Sequence, residues 1–102
     1  MKDELITTGH IIGQTEDTLV SNMDQDKVMM SIQTGKYYNL GAIGGRIWDI
    51  IETPTTVGRL VEVLTLEFDV NQTVCEEQVI IFLNKLLKEQ LIVVKEEASV
   101  NL

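Results

Sequence analysis

The chain has 102 residues, 44% of them hydrophobic and 24% charged, with one proline and one cysteine, and so has the size and composition of one folded domain. Sixteen acidic side chains against eight basic ones give a net charge of -8. Spread from Asp3 to Glu97, that charge sets up a field that repels phosphate backbones, and the dispersed Lys27, Lys36, Arg46, Arg59, Lys85 and Lys88 form no basic face, so no nucleic-acid partner is expected.

Residues 1–17 mix Leu5-Ile6 and Ile11-Ile12 with Gly9, Gly13 and several threonines, a pattern that suits a loosely ordered lead-in or a poor edge strand. The pattern firms up over 18–94, the expected domain. Leu19 to Met23, the turn-rich Asp24-Gln25-Asp26-Lys27 and the run Val28 to Gln33 read as a hairpin. Val28, Met30 and Ile32 fall on one face of its second strand, Met29, Ser31 and Gln33 on the other. Thr34-Gly35-Lys36 then turns the chain into a third strand, Tyr37-Tyr38-Asn39-Leu40, with Gly35 supplying the positive φ of a tight turn. Being last in the meander, this strand has one unpaired side unless the lead-in covers it.

After Gly41 the period becomes helical, with Ile43, Ile47, Trp48, Ile50 and Ile51 on one face until Thr53-Pro54 ends the segment; Trp48 is expected under the sheet. Thr55 or Thr56 caps a second helix whose stripe is Val57, Leu60, Val61, Leu64 and Phe68. Asp69 to Thr73 is a polar connector. A third helix runs from about Gln72 to Gln90, followed by the extended Leu91 to Val94 and a polar tail, 95–102. In the third helix Cys75, Val79, Phe82, Leu83 and Leu86 span about 100° of arc, and Ile80, Leu87 and Leu91 widen it to nearly 180°. Either the helix is central and packs on two neighbours, or its Ile80 and Leu87 edge lines a groove for a ligand.

Catalytic chemistry is missing from the pattern, and no enzyme is expected. The only histidine, His10, lies in the lead-in with no nucleophile placed beside it. Cys75 sits on an apolar stripe as a small buried hydrophobe, and Glu76 and Glu77 disfavour its thiolate. Gly41, Gly44 and Gly45 precede no Lys-Ser or Lys-Thr, so close packing on the sheet explains them better than a phosphate loop. No Cys/His spacing suits zinc and no Asp-rich loop suits calcium; no metal or cofactor is expected. A single cysteine, no secretory signal and no apolar run near the ~20 residues of a membrane helix lead to the expectation of a cytoplasmic protein with no membrane contact.

Five segments in order then carry a resemblance: Gly35-Lys36-Tyr37-Tyr38-Asn39-Leu40, Ile47-Trp48, Thr56-Val57-Gly58-Arg59-Leu60-Val61, Val79 to Leu86, and Leu91-Ile92. Together they resemble the PqqD-like family, the leader-peptide recognition elements of ribosomally made, modified peptides, and most closely its free-standing members in lasso-peptide biosynthesis. The sequence departs from the family pattern at Gly41, where Asn is usual, at Gln78, where Asp is usual, and at Gln90, where Gly is usual. The resemblance implies an α+β, winged-helix-like fold: a three-stranded antiparallel sheet followed by three helices.

It also implies that a precursor leader peptide adds as an antiparallel strand between the third strand and the third helix, and is presented to a separate cysteine leader peptidase and to a cyclase. On this reading the peptide-binding residues are Tyr37, Tyr38, Asn39 and Leu40 on the strand, an apolar wall of Val79, Ile80, Leu83 and Leu87, and a polar rim of Glu76 and Asn84. Tyr37 and Tyr38 point to opposite faces, so only one of them faces the groove. The competing reading is a winged-helix DNA-binding regulator using the third helix in the major groove.

Overall fold

A computed structural model describes residues 6–23 and 26–95, without the side chain of Met23; the expected turn at Asp24-Gln25 and nearly all of the polar tail lie outside the described residues. The elements in chain order are β1 (Ile11–Gln14), β2 (Thr18–Met23), β3 (Asp26–Ser31), β4 (Tyr37–Leu40), α1 (Gly41–Ile50), β5 (Thr55–Thr56), α2 (Val57–Phe68), α3 (Gln72–Lys88) and β6 (Ile92–Lys95). The fold is α+β and winged-helix-like, with the antiparallel meander β2-β3-β4 as expected and a second antiparallel sheet, β5-β1-β6, that the sequence reading did not contain.

The second sheet changes the part played by the lead-in. Ile11–Gln14 is its middle strand, pairing with β6 from Ile11↔Lys95 to Gln14↔Ile92 and with β5 at Ile11↔Thr56 and Ile12↔Thr55. Ile12 is fully buried, and so is one face of the returning tail at Ile92. The lead-in also completes α2, because the carbonyls of His10 and Thr8 accept from Val57 and Gly58 N–H at 3.0 Å each. These are N–H groups that the first turn of a helix leaves without internal partners. Thr56 Oγ1 accepts a third, from Arg59, at 3.1 Å. Held in this way, β1 does not cover the edge of β4.

In the meander Met29 pairs with Val20 and Tyr38, which therefore share its inward face, while the row Leu19, Met30 and Tyr37 faces outward. The buried face of β3 carries Met29 and Ser31; Ile32, just beyond β3, stays 54% exposed. The glycine at position 35 has φ 75°, as its turn requires, and Gly41 opens α1 with φ 74°, a left-handed conformation that asparagine also tolerates. Trp48 is buried, with Ile47 and Ile51 beside it in the core and Gln14 Nε2 donating to its carbonyl at 2.7 Å.

The core runs along the centre line of α3, where Cys75, Val79, Leu83 and Leu86 are buried against Leu60, Leu64 and Ile12 in one cluster. Asn71 caps this helix, its Oδ1 accepting from Val74 N at 3.0 Å. Its other end is a Schellman turn, in which Leu91 N bonds Leu86 O and Gln90 N bonds Leu87 O, both at 2.9 Å. That geometry needs a left-handed residue, and Gln90 takes φ 63° at the position where the pattern this sequence resembles usually has glycine. Among the described residues no helix is long and apolar enough to cross a membrane. The strain at Gln90 gives a prediction: Gln90→Gly should raise stability by about 0.5 kcal/mol or more in urea unfolding, whereas glycine at an ordinary helical position costs about 1 kcal/mol.

Candidate peptide-binding site

Antiparallel pairing decides what the edge of β4 offers. Hydrogen-bonded and non-hydrogen-bonded pairs alternate along such a ladder. Ser31 N donates to Lys36 O at 2.9 Å, and the register continues through Met30↔Tyr37, Met29↔Tyr38 and Val28↔Asn39. Tyr38 therefore spends its backbone N–H and C=O on β3, while those of Tyr37 and Asn39 point away from the sheet. No backbone partner takes them among the described residues. The strand also carries neither proline nor a charged side chain, the usual guards of an exposed edge.

The edge lies beside α3. Tyr38 turns inward and its Oη donates to Glu89 Oε1 at 2.9 Å, with Lys36 Nζ 3.9 Å from the same oxygen. Tyr37 points the other way and is 72% exposed. The tyrosine facing α3 is thus Tyr38. Its phenol is pushed above the usual 10.0, first by desolvation and then by the hydrogen bond and charge of Glu89.

At the Leu40 end of β4, α1, α2 and α3 bound a cavity of about 360 Å³. Leu40, Ile43, Gly44 and Ile47 line one side, Leu64, Phe68 and Val70 another, and Val74, Cys75, Gln78, Val79 and Phe82 of α3 the third. The lining is almost wholly apolar. Burial pushes the Cys75 thiol up, so at neutral pH it is a protonated, weakly polar wall. β2 has the sheet's other edge, but contributes nothing to this cavity. A second hollow of about 330 Å³ is polar, and its cations are matched: Lys27 to Asp49 at 3.1 Å and Arg46 to Glu67 in a two-pronged contact of 2.6 and 2.8 Å.

These contacts orient α3. Glu89 meets Tyr38, and Phe82 meets Gly44 and lines one cavity with Leu40, so the flank bearing Phe82 and Glu89 is the one that faces β4. At about 100° per residue, Gln78, Lys85 and Glu89 fall within about 60° of Phe82, and Glu76, Ile80, Asn84 and Leu87 about 120–160° away from it. Of the expected apolar wall, the structure brings Val79 to the cavity and buries Leu83 completely in the core. Ile80 and Leu87 are half-buried against the core on the far flank, and Asn84 Nδ2 donates back to Ile80 O at 3.0 Å. Ile80, Leu87, Glu76 and Asn84 therefore do not form a wall opposite β4. The wide arc follows from α3 packing on both α2 and β6.

The cavity is lined instead by residues outside the expected site: Phe82 above all, with Ile43 and Phe68, which the sequence places in apolar helical stripes, and Gln78, Val70 and Val74. A signal was present in Val70 and Val74, which flank the polar Asn71-Gln72-Thr73 and stay 43% and 53% exposed beside the cavity they line.

The chain belongs to the PqqD family: the profile for Coenzyme PQQ synthesis protein D (PqqD) matches residues 26–92. Among solved structures it is similar to TbiB1 in complex with the TbiA(beta) leader peptide, with a TM-score of 0.72 and 25% identity over 87% of this chain and 99% of that one. It is also similar in fold to lasso peptide synthetase B1 complexed with the leader peptide, with a TM-score of 0.71 and 17% identity over 80% and 96% of the two chains. No curated protein matches the sequence.

The Tyr38 contact has a pH signature. Because the folded-state pKa of Tyr38 is raised, its contribution to stability is present at and below the ordinary value of 10.0 and is lost as pH rises through the folded value. Ultraviolet titration should find one tyrosine ionising above that value, and Glu89→Gln should lower its midpoint part of the way. A Tyr38 midpoint at or below 10.0 would contradict the contact.

Proposed function

We propose that this chain binds the leader of a ribosomally made precursor peptide, which adds to β4 as an antiparallel strand, and that it presents the peptide to a separate leader peptidase and a cyclase. The observation that carries the proposal is the one-sided β4: Tyr37 and Asn39 offer outward backbone groups beside an apolar cavity walled by α3. The solved TbiB1 complex, 25% identical over 87% of this chain, supports a leader as the occupant.

The energetics assign different tasks to the two parts. Main-chain hydrogen bonds contribute about 0.5–1.5 kcal/mol each, and association costs about 4 kcal/mol or more, so two outward residues alone hold a peptide weakly. Burying one large apolar side chain adds about 1.5–3 kcal/mol. The edge accepts any extended backbone, and the cavity makes the selection. Of the expected site, the proposal retains Tyr37, Tyr38, Asn39, Leu40 and Val79, with Phe82 in place of Ile80 and Leu87.

The DNA-binding alternative finds less support. Lys27, Lys36, Arg46 and Arg59 lie 3.1, 3.9, 2.6 and 3.3 Å from carboxylates, and α3 carries Glu76 and Glu77 in its first turns.

Proline at Tyr37 provides the test, because an edge strand tolerates proline where its N–H points outward. Fluorescence titration would use the TbiA(beta) leader peptide and the leader of any short precursor reading frame found beside this gene. Tyr37→Pro should weaken binding about tenfold with the circular dichroism unchanged. Equal affinity of wild type and variant for a bound leader would count against strand addition, and no binding of either leader by wild type would count against the leader reading itself.

A further inference from the structure

Gly44 stands in the second turn of α1 with an ordinary backbone conformation, where alanine would be the better helix former by about 1 kcal/mol. Space, not conformation, explains the glycine. A Cβ there would lie 3.0 and 3.1 Å from Cζ and Cε1 of Phe82 and 3.3 Å from Leu40 Cβ. The Phe82 ring thus rests against the bare backbone of α1. The same ring is only half-buried and lines the cavity beside Gly44 itself, so the two residues bound it together where α1 meets α3. A methyl group at position 44 would take up space at the cavity wall and make the Phe82 ring give by a few tenths of an ångström; a smaller side chain at position 82 would enlarge the cavity.

We infer that Gly44 and Phe82 together set the size of the apolar group that the cavity admits, and so determine which side chain anchors the bound peptide. The inference rests on the proposed leader binding and adds to it the class of residue selected. Leu40, Ile47, Leu64 and Val79 accept only an apolar group, and Gln78 is the one amide in the lining. The position of the anchor follows from strand polarity. A strand antiparallel to β4 has its N-terminal end beside Leu40, where the cavity opens, so the anchor comes from the N-terminal side of the paired segment. The exposed Ile43 and Val74 give that segment an apolar rim to cross.

A glycine that served only to let α1 approach α3 would alter stability without altering size preference, and this difference makes the test. Toluene, indole and naphthalene would be titrated into wild type, Gly44→Ala, Phe82→Ala and the double variant, with the methyl resonances of Leu40, Ile47 and Val79 as the readout. Gly44→Ala should lower the affinity for naphthalene relative to toluene by about tenfold. Phe82→Ala should shift the ratio the other way, and the double variant should lose the Gly44→Ala penalty because the displaced ring is gone. One naphthalene-to-toluene ratio in all four proteins would overturn the inference. The leader titration reports separately: unchanged ratios in a protein that binds leader sink the size rule alone, and altered ratios in a protein that binds none sink the peptide reading alone.

Discussion

A strand that is hydrogen-bonded on one side only must give alternate backbone groups to solvent or to a partner, and β4 is held in that condition by its surroundings. β3 fixes its register on one side, and the Tyr38–Glu89 hydrogen bond ties it to the end of α3. The lead-in, the one segment near the N-terminus with the composition to cover the edge, is committed elsewhere as the middle strand β1. Backbone groups of Tyr37 and Asn39 are left outward as a consequence of pairing, not of any special residue.

The remainder of the fold keeps that edge beside an apolar space. α3 is buried along its centre line, its N-terminus is capped by Asn71, and its C-terminus is closed by the Schellman turn that returns the chain to β6. One flank faces Gly44 through Phe82; the other packs against the core through Ile80 and Leu87. Because α1 carries bare backbone at Gly44, the helices close on the Phe82 ring, and both residues line the cavity that remains. Sequence-tolerant backbone contacts and selective side-chain contacts are thus separated in space, along β4 and beyond its Leu40 end.

Much of this was legible in the order of residues. The meander followed from turn chemistry at Gly35, the helices from apolar periods and from Thr56, and the free edge from β4 being last in the meander. Two features were not legible. The sheet β5-β1-β6 joins Ile11–Gln14 to strands about 40 and 80 positions away, and a four-residue run with a glycine in it has no local signal for such distant pairing. The working flank of α3 was also hidden, because Phe82 and Val74 on one side are as apolar as Ile80 and Leu87 on the other. Periodicity reports the width of a buried arc but not which neighbour covers each half. The contacts of Glu89 and Gly44, both nonlocal, supply that choice.

Backbone amide exchange measured with and without leader peptide bears most directly on the proposed strand addition. On this account the amides of Tyr37 and Asn39, which point away from β3, slow markedly when leader binds, while that of Tyr38, already bonded to Met29, changes little. Slowing confined to α3, or equal across Tyr37, Tyr38 and Asn39, would contradict it.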